Sequence, residues 1–538
     1  MPIQFNPAWR LSCSAAAMAI GLSACGGNTP LTRDDSALHK IDTVVVIYAE
    51  NRGFDTLYGL FPGANGIPGV NPSARSAYIP QVDVDGALLP VLPPTWGGAT
   101  AAGQSPVVTQ AQSANLPNQP FQIDSQQGLG IAASVVTRDL VHRFYNNQMQ
   151  IDGGKNDKFP TYSDAGGLSM GYYDGSAMAM WKLAREYTLA DNFFMGAFGG
   201  SFLNHQYLIC ACAPQYPQAD KSPAKGGISK IDVDANGNFL RLTPAAKSPA
   251  STLDGAPQYA NDGTLTPADG KGMFYAVNTM QPPFQPSNVA PAANDVARLY
   301  ADGNNASTLP PLTQKNIGDL LSDKGVSWAW YAGAWNSTLA TAKGDRKFSV
   351  PMPNFQFHHQ PFNYYANMDP VTHAAYRAEH LKDFDNSFLQ DAAAGKLPAV
   401  SFYKPQGNLN QHAGYADVAS GDAHIADVIN KLRHSPQWSH MLIVVTYDEN
   451  GGFWDHAAPP KMDQWGPGTR IPAIIISPYA RKGYVDPTLY DTSSVLRFIT
   501  RRWSLPALDG ITLRDRAIQS SGGEPLGDLS NALTATPE

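Results

Sequence analysis

The sequence predicts an α/β fold built on a mostly parallel central sheet with long loop insertions. Three observations predict it. Apolar runs suited to strands buried on both faces recur along the chain. Segments with helical signals lie between them, the alternation expected of a parallel sheet covered on both faces. Glycine and proline are abundant, at 48 and 43 of 538 residues, while only 15% of residues are charged, against a usual share of about 25%. With 43% hydrophobic residues, this composition excludes a disordered chain. The glycine and proline exclude a helical bundle and point to a compact body carrying much loop. The net charge of −7 offers no basic excess to neutralise phosphates, so nucleic acid is not expected as a partner.

Residues 1–25 read as an export signal. A short segment ends at Arg10, and an apolar stretch over 11–22 follows, too short to span a bilayer. It closes on Leu22-Ser23-Ala24-Cys25, which resembles a bacterial lipobox. A lipid on Cys25 would attach the chain to a membrane, and the expected location is periplasmic or outer-membrane, or secreted. The first strand is expected over 43–48, with others at 326–331, 399–403, 441–447 and 473–477. Helices are expected over 177–187, 313–323, 374–394 and 493–503, and over 422–434 with Asp422 as its N-cap. A single domain is expected over 38–520. Two stretches, 60–125 and 213–308, are too long for ordinary connections and read as insertions that decorate or cover the site. Of the four cysteines, Cys13 and Cys25 lie in the signal. Cys210 and Cys212 are one residue apart, a spacing that strains a mutual disulfide, and they read as small buried residues.

Ligands of such sheets bind beyond the carboxyl ends of the strands. Directly after the first strand comes Glu50-Asn51-Arg52-Gly53-Phe54-Asp55. After the strand at 441–447 comes Asp448-Glu449-Asn450-Gly451-Gly452-Phe453-Trp454-Asp455-His456. Carboxylates gathered there repel one another unless a cation neutralises them. Ser201, in Phe198-Gly199-Gly200-Ser201-Phe202-Leu203-Asn204-His205, is a candidate nucleophile. A helix starting there would favour an anion at its amide end, and the glycines would let backbone approach a ligand. His142, the adjacent His358 and His359, and His412 lie in polar or aromatic loops. His205, His424 and His456 are second choices; His39, His373, His380, His434 and His440 read as structural.

The two acidic segments closely resemble the bacterial phospholipase C/acid phosphatase superfamily, which carries Glu-Asn-Arg-Ser-Phe-Asp near its start and Tyr-Asp-Glu-x-Gly-Gly-x-x-Asp-His near its end. Gly53 stands where serine is commoner. His142 followed by Gly153-Gly154-Lys155-Asn156-Asp157 also matches. The segment around Ser201 looks like the acid phosphatase branch. The resemblance implies an alkaline-phosphatase-like α/β/α sandwich. It implies Ser201 as nucleophile, with Glu50, Asn51, Ser201, Asp448 and Glu449 around one divalent metal ion; the last ligand is Asp in some relatives. His142, His358, His359 and His412 would hold the phosphoryl group, with Asn278 as a further ligand. The expected activity is hydrolysis of phosphate monoesters through a phosphoserine, with a phospholipase C-type diesterase acting on phospholipids as the alternative. One histidine, His358 or His412, would protonate the leaving oxygen, and protonated histidines would favour mildly acidic pH. Oxygen ligands suit Ca²⁺, Mg²⁺ or Mn²⁺ better than Zn²⁺.

Overall fold

Eight strands form the central sheet: β1 (Thr43–Ala49), β2 (Thr188–Ala190), β3 (Trp328–Ala332), β4 (Leu381–Asp383), β5 (Val400–Lys404), β6 (Met441–Tyr447), β7 (Ala473–Ile476) and β8 (Tyr484–Asp486). Their spatial order is β8-β2-β7-β6-β1-β5-β3-β4. Only β7 runs antiparallel to its neighbours. The computed structural model describes residues 36–227, 242, 244–259, 268–340 and 355–538. The export signal and lipobox expected over 1–25 lie outside the described residues, as does part of the 213–308 stretch.

The five strands read from apolar runs form within two residues of expectation. Every residue of β1, β3, β5, β6 and β7 is buried, so both faces of the sheet are covered. The three strands not foreseen have three residues each, too few for a pattern to register. The helices used below are α1 (Phe54–Tyr58), α2 (Phe144–Ile151), α3 (Ala179–Glu186), α4 (Ser201–Cys210), α5 (Ile317–Asp323), α6 (Val418–Arg433) and α7 (Ser493–Arg502). Asn316 and Asp319 form a reciprocal capping box that starts α5. Among the described residues no helix is long and apolar enough to cross a membrane.

Three expectations change. Asp422 does not begin its helix. Asp417 does, accepting from Ser420 N at 2.7 Å, and the chain continues as α6 through Asp422. Asp422 instead accepts from Ala179 N at 2.7 Å and Met180 N at 3.0 Å, capping the neighbouring α3. The single helix expected over 374–394 is broken. Its middle, β4, pairs with β3 at the sheet edge, because His380 stacks on Trp328 at 4.1 Å and Asp383 caps the following turn through Asn386 N. Cross-strand pairing there overrides helical propensity. Cys210 and Cys212 form a disulfide, with Cα atoms 5.1 Å apart. The helix ends at Cys210 and Ala211 adopts a left-handed conformation (φ 52°), which turns Cys212 back toward Cys210. An extended tripeptide could not make that bridge.

Candidate active site

The register of the sheet assembles the acids. Ala49 pairs with Tyr447, so Glu50 and Asp448 leave adjacent strand ends side by side. Asn51 then takes a left-handed turn (φ 54°), and its amide donates to Asp448 Oδ1 at 3.0 Å. Gly451 (φ 62°) packs on this turn. A Cβ there would lie 2.5 Å from Asn51 O, and its N–H donates to Glu449 Oε2 at 2.5 Å. Ser201 opens α4, with Gly200 as N-cap. Tyr48 at the end of β1 donates to Asn204 O at 3.1 Å and ties α4 to the sheet. At Gly199 (φ 90°) a Cβ would lie 2.4 Å from Phe144 N. The glycines expected to open room for a ligand therefore open room for backbone, drawing the His142 segment and the Asn51 turn against the nucleophile.

Ser201 Oγ lies 3.5 Å from Glu50 Oε2, 3.3 Å from Asn51 Oδ1 and 3.4 Å from Glu449 Oε1. One hydroxyl proton can serve only one of these acceptors. Burial, reinforced by Glu50, pushes the Asp448 carboxyl up to about 7. Burial also raises Glu449, against the pull of His142. Asp448 Oδ2 is buried without a hydrogen-bond partner among the described residues. Converging oxygens, acids that burial drives toward protonation and an orphaned carboxylate oxygen fit a hard divalent cation. The family-implied metal therefore suits Glu50, Asn51, Ser201, Asp448 and Glu449.

Ser201 lies in the wall of a cavity of about 780 Å³ that also includes His142, His358, His412 and Asn278. His142 Nδ1 is 2.5 Å from Leu140 O, which turns its Nε2 toward Asn51 Nδ2 at 3.3 Å and Glu449 Oε1 at 3.6 Å. His412 Nδ1 is 2.5 Å from Ala413 O, and its Nε2 is 3.9 Å from Glu50 Oε2. Asn278 Oδ1 accepts from Phe144 N at 3.1 Å. Asn278 and Tyr259 bring the 213–308 stretch into the cavity wall, whereas no wall residue comes from 60–125. His359 is not part of the wall. It lies behind Glu50, with Nε2 3.0 Å from Glu50 Oε1.

The histidines differ in charge. Burial lowers His358 to about 4 and holds His359 and His412 well below the usual value. Burial also acts on His142, but Glu449 and Asp139 outweigh it and raise the ring to about 9. Of the four histidines expected to carry positive charge, only His142 is shifted toward it.

Two site residues were missed or undervalued. Lys404, the last residue of β5, is buried and pairs with Glu50 Oε1. The strand-end rule that picked out Glu50 would have found it. His205, a second choice, is buried one turn after Ser201 and pairs with Ser201 O at 2.7 Å. His456 belongs to a separate buried network. Its Nδ1 lies 2.6 Å from Asp55 Oδ2, while Arg470 binds Asp55 and Asp455 at 3.0 Å each. His424 pairs with Tyr403 OH at 2.6 Å.

The chain is similar over 96% of its length to phospholipase C A of Mycobacterium tuberculosis, with 23% identity and 80% of that protein covered. It is 32% identical to non-specific phospholipase C6 of Arabidopsis thaliana over 25% of this chain and 32% of that one. Among solved structures, the phosphonate monoester hydrolase of Agrobacterium radiobacter aligns over 64% of this chain and 72% of its own, with 9% identity and a TM-score of 0.25. The model of the Phosphoesterase family matches residues 41–506. The chain belongs to the phosphoesterase family and is a phosphoric ester hydrolase.

Proposed function

We propose that the protein is an exported acid phosphatase that hydrolyses phosphate monoesters through Ser201. The observation that carries this reading is Ser201 Oγ held within 3.5 Å of Glu50, Asn51 and Glu449, in the wall of a cavity shared with His142, His358 and His412. One divalent cation, of the Ca²⁺, Mg²⁺ or Mn²⁺ kind, would be held by Glu50, Asn51, Ser201, Asp448 and Glu449. When bound it would supply Lewis-acid chemistry, favouring ionised Ser201 and drawing charge from the phosphoryl oxygens.

Ser201 Oγ attacks phosphorus in line, forming the Ser201 O–P bond as the bond to the leaving alcohol breaks. His142 donates the proton that the alcohol carries away, because it alone among the cavity histidines is raised into the protonated range. His358 or His412, the donors expected from the sequence, would serve only when protonated, which burial opposes in both. Both of those, with Asn278, orient the phosphoryl oxygens. Water then cleaves the phosphoserine, releasing phosphate and restoring Ser201. Burial depresses His358 and His412, so neither adds positive charge to a bound phosphoryl at mildly acidic pH, and a preference for acid would have to come from another group. Ser201→Ala should abolish turnover of an aryl phosphate by the purified protein; near-wild-type turnover would refute the assignment.

A second reading, a phospholipase C-type diesterase acting on phospholipids, is favoured by the name of the Mycobacterium tuberculosis relative, which aligns over 96% of this chain. Comparing turnover of an aryl phosphate with release of phosphocholine from phosphatidylcholine separates the two. The domain would run over 38–520, with insertions at 60–125 and 213–308. The Cys210–Cys212 disulfide suits an oxidising compartment outside the cytoplasm. Cys25→Ala should move the protein from the membrane fraction to the soluble one.

A further inference from the structure

Glu50 has two faces. Its Oε2 looks toward the cavity, 3.5 Å from Ser201 Oγ and 3.9 Å from His412 Nε2. Its Oε1 looks away from it, 3.0 Å from His359 Nε2 and in contact with Lys404 Nζ. Behind Glu50, His205 and His359 stack with ring centroids 5.0 Å apart and planes within 4°. Asp448 Oδ2 lies 3.8 Å from His205 Nδ1. Glu50, His205 and His359 each offer a ligand atom within 4.8 Å of the others. Glu50 Oε1, His359 Nε2 and Lys404 Nζ meet one another, while His205 Nε2 and Asp448 Oδ2 are buried without a hydrogen-bond partner among the described residues. Native proteins rarely leave buried polar atoms unsatisfied. This inner compartment has the nitrogen and oxygen donors of a second metal site, and a lysine stands in it.

We propose that Lys404 is the resident cation of this inner compartment, its ammonium standing where a second metal ion would otherwise bind and holding Glu50 with Oε2 turned toward Ser201. The sheet puts it there. Ile47 pairs with Tyr403, so Lys404 emerges beside Tyr48 at the carboxyl end of β5. Its Nζ lies 5.1 Å from the centroid of the Tyr48 ring, an attraction that a desolvated ammonium gains from an aromatic face. Glu50 is its only ion-pair partner among the described residues. Charge balance agrees. Glu50, Asp448 and Glu449 carry three negative charges when ionised, and Lys404 with a single divalent ion already supplies three positive ones, before His142 is counted. A second divalent ion beside Lys404 would leave a buried excess of positive charge, which is costly. Lys404 thus acts as a positioning residue that sets the metal count at one.

The proposal rests on the reading of the outer oxygens as a divalent site, and metal stoichiometry tests the two separately. The full-length protein, stripped with chelator, is loaded with Co²⁺, desalted and assayed for metal per chain by elemental analysis and visible absorption. Wild type should hold one ion. Lys404→Ala should hold two, the second showing the visible bands of histidine-ligated cobalt. If that variant does not fold, Lys404→Ser, which vacates the same space, should also hold two. Two ions in wild type would overturn the proposal while leaving the outer site intact, and that count needs no variant. One ion in either Lys404 variant would overturn it equally. No ion in wild type would overturn both readings.

Discussion

The Asp-His pair that ends the second acidic motif is structural, and Asp455→Asn tests this. Asp455 Oδ1 accepts from Arg470 Nε at 3.0 Å and Ala457 N at 2.8 Å. Its Oδ2 accepts from Asp55 N at 2.9 Å and Arg470 Nη2 at 3.2 Å. Asparagine can keep the contacts of only one oxygen, and its NH₂ then faces donors. Two contacts become donor against donor, and the Arg470 guanidinium, fully buried, keeps Asp55 as its remaining ion-pair partner in the network. Breaking a buried charge pair from one side costs about 3–5 kcal/mol. Unfolding entropy of about 2.1 cal/mol/K per residue over a chain of this length is roughly 1 kcal/mol/K, so Tm should fall by about 3–5 °C. None of Asp55, Asp455, His456 or Arg470 lies in the cavity wall, so turnover per folded molecule should stay within about threefold of wild type. Scanning calorimetry and aryl phosphate kinetics on the same preparation read both. Turnover lost with Tm unchanged would refute the structural assignment and place this network in the chemistry.

Three further outcomes follow from particular contacts. Gly53 is the N-cap of α1 and caps nothing with a side chain; a Cβ there meets its nearest neighbour, Thr56 Oγ1, at 3.4 Å, ordinary contact. Gly53→Ser, the commoner family residue, should stabilise by roughly 0.5–1 kcal/mol through capping and a less flexible unfolded chain, raising the urea midpoint; a lowered midpoint contradicts this. Asp422→Ala removes the cap on Ala179 N and Met180 N and should cost about 1–2 kcal/mol in urea unfolding, with aryl phosphate turnover unchanged. Burial holds His358 down to about 4, whereas an unfolded histidine titrates near about 6.5. The unfolded state therefore binds the proton first: stability is indifferent to this group above about pH 7 and falls as pH drops from about 6.5 toward 4. The loss reaches roughly 2–3 kcal/mol, and it should be smaller in His358→Gln. Equal pH slopes for the two proteins would show that His358 is not held neutral.

The candidate site was largely legible as chemistry and illegible as arrangement. Glu50, Asn51, Asp448 and Glu449 stood out because they follow fully apolar runs, and the rule for strand ends is local in sequence. Lys404 follows such a run too, and the same rule points to its place, but the carboxylate it meets there is set only when β5 lies beside β1. Whether a histidine faces the cavity or the rear of Glu50 depends on ring orientation, which loop composition does not encode. His359 and His205 went to the rear, and His142 alone gathered enough carboxylate to stay charged. The break over 374–394 and the partner of Asp422 were hidden for a similar reason. Each depends on a residue distant in sequence, the Trp328 ring in one case and the amides of α3 in the other.

By itself the sequence determined the fold class, the long central strands and the residue types at their ends. These follow from hydrophobic runs and short motifs, which act over a few neighbouring residues. Only the tertiary structure decided the Cys210–Cys212 bridge, the two faces of Glu50, the charge of each histidine and which loop stretch walls the cavity. Those depend on burial and on distances between segments far apart in the chain, and desolvation and Coulomb energies take their size from such distances.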